Sequence, residues 1–169
     1  KTAYEIRNCD WSSDVCSSDL DIPVTSNVPI PGVPSSAASD GRSSRHTLLD
    51  LGADEYTRGR PHPMIDPGAR DAPLGDALTG ADAVDVVLVD VILGYGAHAD
   101  PAGHLAKCVS KVKESSCVVV ASVTGTDADP QRLSAQVAKL RGAGIVVAPS
   151  SADAAMLALA IVNSRAPAP

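Results

Sequence analysis

Val84–Pro101, VDVVLVDVILGYGAHADP, is the stretch on which the fold turns. An apolar, β-branched run from Val86 to Leu93 is interrupted only by Asp90, and it breaks into Gly94-Tyr95-Gly96-Ala97-His98. Such a run, closed by two glycines and followed by a helix-like segment, reads as a buried strand feeding a tight loop. In open α/β sheets ligands sit beyond the carboxyl ends of the strands. Gly94–His98 is therefore the first place to look for function.

Downstream, the same rhythm repeats. A helix from Asp100 or Pro101 to about Val112 carries Leu105, Cys108, Val109 and Val112 on one face, with His104 turned to solvent. Ser116–Val123 reads as a second strand, followed by the loop Thr124–Asp127. Asp129 and Pro130 suit a helix start, and Gly142 and Gly144 its end. Ile145–Ala148 is a third strand, and Ser151 or Asp153 caps a last helix to about Asn163. Three strand–helix units predict an α/β three-layer sandwich around a small parallel sheet with right-handed crossovers. His46–Leu51, HTLLDL, adds a short arm, and Gly68–Thr79 a short helix.

Composition narrows the function classes. The 169 residues suit one domain; there is no Phe, so the core must be aliphatic. A net charge of −6 argues against nucleic acid or an anionic membrane as partner. No run approaches the ~18 apolar residues of a membrane span. Four cysteines make neither a disulfide framework nor a zinc pair by spacing, so a reduced, cytoplasmic protein with no metal is expected. Cys108 and Cys117 read as core residues.

The N-terminal 45 residues differ in kind. Lys1–Leu20 lacks amphipathic period, and DWSSDVCSSDL, residues 10–20, can be back-translated in a single frame to a sequence that resembles a common short-read sequencing adapter. Lys1–Ile6 fits the other end of the same primer. Residues 1–20 are therefore expected to be non-native and are left out of fold reasoning. Residues 21–45 carry Pro23, Pro29, Pro31 and Pro34 among small residues and read as a mobile linker. Residues 46–165 form the domain and 166–169 a tail.

Three groups carry candidate chemistry. Gly94, Tyr95 and Gly96 let a backbone approach an anion, beside the free N–H groups of a helix start; the alternative is a plain strand-to-helix turn. His98 in the same loop is a candidate general base, phosphate ligand or hydrogen-bonding loop residue. Thr124, Gly125 and Thr126 form a second anion-friendly turn at the same sheet edge. Arg60, His62 and Asp66 lie in RPHPMIDP, residues 60–67, where three prolines hold the chain extended. That loop can present a guanidinium, an imidazole and a carboxylate to an anion or another subunit, or it can be a clamp closed by Arg60 and Asp66.

RPHPMIDP, DVVLVDVILGYGAHADP, VTGTDADPQ and LRGAGIVVAPSSADAA, in that order, resemble the FdrA family of succinyl-CoA synthetase α-subunit-like proteins. The resemblance spans about residues 46–163. It implies a C-terminal CoA-ligase domain of flavodoxin-like topology, a Rossmann-like CoA-binding domain upstream of the linker, and a hetero-oligomer. It also implies coenzyme A or an acyl phosphate as ligand. Succinyl-CoA synthetases carry a phosphorylated histidine after the strand matching CVVVASV; here TGTDADPQRLSAQ has none, and His98 belongs to the preceding loop. The family has also been linked to a carbamoyltransferase acting on oxamate and carbamoyl phosphate in allantoin breakdown, chemistry that needs no phosphohistidine. A non-catalytic assembly domain is the remaining reading.

Overall fold

The computed structural model describes the backbone of residues 3–7 and residues 24–29, 46–79, 84–112 and 115–165. Six strands form one sheet: β1 (Ala3–Arg7), β2 (Val24–Ser26), β3 (His46–Asp50), β4 (Val86–Ile92), β5 (Val118–Thr124) and β6 (Val146–Ala148). Their spatial order is β2-β3-β1-β4-β5-β6, and every pairing is parallel. The helices are α1 (Asp54–Thr57), a 3₁₀ turn at Pro67–Arg70, α2 (Asp71–Thr79), α3 (Pro101–Ser110), α4 (Leu133–Gly142) and α5 (Ser151–Ser164).

The strand–helix repeat thus yields the expected α/β sandwich. Side chains alternate across the pleat of β4. Val87, Val89 and Val91 pack with Leu74 and Leu78 of α2, Leu105 of α3 and Leu140 of α4. Val86 and Leu88 face the other way, onto Val120, Ala154, Ala158 and Val162, so α5 covers the second face. Buried on both faces, β4 could not alternate with polar residues, which is why its sequence is a near-continuous apolar run.

The sheet is wider than the sequence reading allows. Ala3–Arg7, excluded above from fold reasoning, pairs with both β3 and β4. A parallel ladder uses main-chain groups that any residue supplies, so apolar pattern is a poor guide to a strand this short. Val24–Ser26, inside the expected linker, is an edge strand on β3, and Val24 and Ser26 are buried. Asn27 fastens its exit: its amide nitrogen donates to the Asp50 carbonyl (2.9 Å), and its oxygen accepts from the Asp50 N–H (2.7 Å). The rest of the expected linker, residues 21–23 and 30–45, lies outside the described residues, as do Cys9, Trp11, Cys16 and the 166–169 tail.

Two helix starts move. Ser150, rather than Ser151 or Asp153, caps α5, its Oγ accepting from the Asp153 N–H (3.1 Å). The helix after β5 begins at Leu133, not at Asp129-Pro130, and Arg132 precedes it at φ 59°. No helix among the described residues is long and apolar enough to cross a membrane.

Candidate functional site

The chain order reverses between β1 and β4: β1 leads toward β2, on one side, while β4 leads toward β5, on the other. The crevice outside such a reversal is where parallel sheets bind ligands. Gly94–His98 leaves the end of β4 at that point. Gly94 and Gly96 have φ of 130° and 80°, which a side chain would oppose.

The loops expected to act together do meet. The His98 N–H donates to the Met64 carbonyl (2.8 Å), which joins GYGAH to RPHPMID. The Leu93 N–H donates to the Thr124 carbonyl (2.9 Å), which sets the β5 turn beside both. Within RPHPMID, the clamp between Arg60 and Asp66, one of the two readings of this loop, is not formed. Asp66 Oδ1 instead accepts from the Gly68 N–H (3.0 Å) and caps the 3₁₀ turn, and exposed Arg60 makes no ion pair among the described residues.

The two histidines share one arrangement. His62 Nδ1 accepts from the Met64 N–H (3.2 Å), and His98 Nδ1 accepts from the Asp100 N–H (3.0 Å). An accepting Nδ1 puts the proton of the neutral ring on Nε2. Each neutral ring thus carries its N–H donor at Nε2, a better fit to anion recognition than to a general base.

The two anion-friendly turns diverge on inspection of their donors. In the β5 turn, Asp129 Oδ2 accepts from both the Thr126 N–H (2.5 Å) and its hydroxyl (3.2 Å), so the turn's own carboxylate occupies it. Gly125 serves close packing: a Cβ there would lie 2.6 Å from the Leu93 Cβ. The start of α3 is occupied as well. Pro101 has no N–H, Ala102 donates to Gln136 Oε1 (3.0 Å), and Gly103 donates to Asp100 Oδ1 (3.1 Å). The free helix-start N–H groups expected there are thus engaged. The Tyr95 and Gly96 amides make no hydrogen bond among the described residues, and Tyr95 is 97% exposed.

Gln131, absent from the sequence candidates, holds the open loop in place. At 7% exposure, it accepts from the Gly94 N–H at Oε1 (3.1 Å). Its Nε2 donates to the carbonyls of Gly94 (3.0 Å) and His98 (3.2 Å). Turning Gln131 inward reverses the chain, and Arg132 absorbs the reversal at its positive φ. Arg70 was missed too. It is 4% exposed, and one terminal nitrogen donates to the Asp90 carbonyl (3.0 Å) just past the last β1–β4 pair, Ile6–Val89. Burial pulls its pKa down to about 10, against the opposing pull of Asp90. The Asp90 carboxylate accepts from the Ser122 hydroxyl directly across the ladder. The lone acid in the apolar run was the visible signal for this cluster; its partners were not.

A parallel α/β domain with its polar loops gathered at the strand C-termini is a fold class that hosts many functions. The sequence comparisons narrow it: residues 18–161 match the CoA-ligase family model, and the chain belongs to that family. It is also 38% identical over 123 residues, 69% of its length, to the uncharacterized protein YahF of Escherichia coli strain K12. That match spans 24% of YahF, so the chain corresponds to a minor part of its relative's length.

Proposed function

We propose that this chain is the C-terminal CoA-ligase-like domain of an FdrA-type protein, binding a phosphate-bearing ligand at the β4 edge. Coenzyme A, an acyl phosphate and carbamoyl phosphate share the anionic group that this edge suits. The observation that carries the reading is the junction of GYGAH with RPHPMID through His98 and Met64, beside the free amides of Tyr95 and Gly96. Arg60 and His62 supply a guanidinium and an imidazole N–H from the second loop, and His98 supplies another N–H. The reduced, cytoplasmic setting stays part of the proposal, as does an upstream CoA-binding domain supplied by the longer protein.

Between the two chemistries, the donor-type His98 and the absence of a histidine in TGTDADPQ favour acyl or carbamoyl transfer without a phosphohistidine. The test is calorimetric titration of coenzyme A, acetyl phosphate and carbamoyl phosphate into the chain and into a Gly96→Val variant. Binding lost in the variant sustains the reading; binding unaffected by it, or none with any ligand, defeats it.

The assembly-domain reading has its own observation. Tyr95 and Ile65, 52% exposed, present apolar surface from the two joined loops. If Arg60→Ala and Tyr95→Ala abolish association with a partner subunit yet leave anion binding intact, this edge is an interface.

A further inference from the structure

Away from the phosphate-binding reading, and independent of it, α2 and α3 bring together three metal-ligating side chains of different chemistry. His104 and Cys108 are four residues apart on α3 and so share a face. Asp71 opens α2 opposite them, and its Oδ1 meets His104 Nε2 at 2.7 Å and Cys108 Sγ at 3.1 Å. All three ligand atoms lie within 4.8 Å of one another. Tetrahedral coordination at metal–ligand distances of 2.0–2.3 Å spaces ligand atoms roughly 3.5 Å apart. The two distances to Asp71 Oδ1 need to open by less than about 1 Å to reach that spacing. Asp71 is exposed and the other two half-buried, so a solvated ion has access.

We propose that Asp71, His104 and Cys108 form a three-ligand site for a borderline-soft divalent cation, Zn²⁺ foremost, with a fourth position left open. A mixed carboxylate, imidazole and thiolate set discriminates against Mg²⁺ and Ca²⁺, which take oxygen ligands. Three protein ligands with one open position is the composition of reactive or exchangeable zinc sites, in contrast to closed four-ligand structural ones. On loading, the Cys108 S–H bond breaks, its proton leaves to solvent, and a metal–sulfur bond forms. His104 moves its proton to Nδ1 and gives Nε2 to the metal.

The surroundings bear on both steps. Burial, reinforced by Asp71, pushes the unloaded Cys108 thiol up to about 11, while nearby Lys111 and Arg70 oppose that rise. Loading displaces the Cys108 proton to solvent. The His98 ring stands edge-on to His104 with centroids 6.2 Å apart. A cation in this site would add positive charge beside the GYGAH loop.

The competing role is a hydrogen-bonded clamp between α2 and α3 that binds no metal. Co²⁺ titrated into the reduced, chelator-treated 169-residue chain separates the two. A thiolate-to-cobalt charge-transfer band, saturating at one ion per chain, is expected in the wild type and in Cys117→Ser. It should vanish in Cys108→Ser, and half-saturation should rise at least about tenfold in Asp71→Asn and His104→Gln. Circular dichroism checks that each variant is folded, and the near-isosteric Asp71→Asn keeps the test decisive should Cys108→Ser unfold. Absence of the band, its survival in Cys108→Ser, or unaltered half-saturation in Asp71→Asn overturns the proposal.

Discussion

Two turns at the same sheet edge, Gly94–His98 after β4 and Thr124–Asp129 after β5, have similar composition and opposite electrostatic fates. The second is closed on itself: Asp129 takes the Thr126 amide and hydroxyl, and Asp127 Oδ1 takes the Ser134 N–H (2.7 Å). The first is held from outside, by Gln131 and Met64, and this leaves the Tyr95 and Gly96 amides uncommitted. The capacity of a glycine turn to bind an anion is thus decided by where its donors already point. Glycine content alone does not reveal it.

That contrast can be broken most severely at Gln131. Gln131→Ala removes a partner from the part-buried Gly94 N–H and from the Gly94, Ala97 and His98 carbonyls, of which the Gly94 carbonyl keeps the Ala97 N–H (3.3 Å). We expect a loss of about 3 kcal/mol in urea denaturation, with amide-exchange protection lost at Gly94 and retained at Thr126. Gly125→Ala comes next, because its Cβ would overlap Leu93 and its φ of 157° is unfavourable. A loss of about 2 kcal/mol is expected there, together with rearrangement of the contact between the two turns.

Asp129→Ala sharpens the comparison in the opposite direction. It should cost about 1 kcal/mol, and it frees the Thr126 amide, so the second turn should gain affinity for inorganic phosphate. Arg132→Gly should stabilise by about 1 kcal/mol, since glycine adopts φ 59° without strain; a loss would show that the Arg132 side chain outweighs that strain.

The smallest effect is with acid. Asp127 is held below the usual carboxylate range by the Ser134 N–H and hydroxyl. Asp100 is pushed up by partial burial, but its bonds to Lys139, Gly103 and Gln136 prevail and its pKa is lowered. A carboxylate with a depressed folded pKa stabilises the native state fully above its unfolded value. That contribution fades as pH falls through the folded one. Melting curves should therefore be flat above about pH 4 and decline below it, less steeply in Asp127→Ala.

The element sequence from β4 to α5 was legible because burial on both faces of β4 and β5 writes an unmistakable apolar run, and because Asp100 and Pro101 punctuate the helix that follows. β1 and β2 were not legible: five- and three-residue parallel strands need only main-chain partners, which composition does not record. The candidate loops after β4 and β5 do lie at strand ends, where the sequence reading put them. What tells them apart was hidden, because Gln131 follows Asp129-Pro130 and reads as the first turn of a helix that in fact begins at Leu133. Its burial depends on contacts made more than thirty residues away. The same holds for His104, expected to face solvent and found half-buried against Asp71. Its spacing to Cys108 was visible; the third member, on another helix, was not.

The strand order also has a kinetic consequence. β4, β5 and β6 are successive in the chain and adjacent in the sheet, so their pairing closes only the loops that contain one helix each. β1 must find β4 across most of the intervening chain. Chain-closure entropy makes such contacts slow. The β4–β6 half, with α3 to α5, should therefore acquire amide protection first, and β1 should enter the middle of a sheet whose one side is already built. The crevice outside the β1–β4 reversal would then be the last part of the domain to take shape.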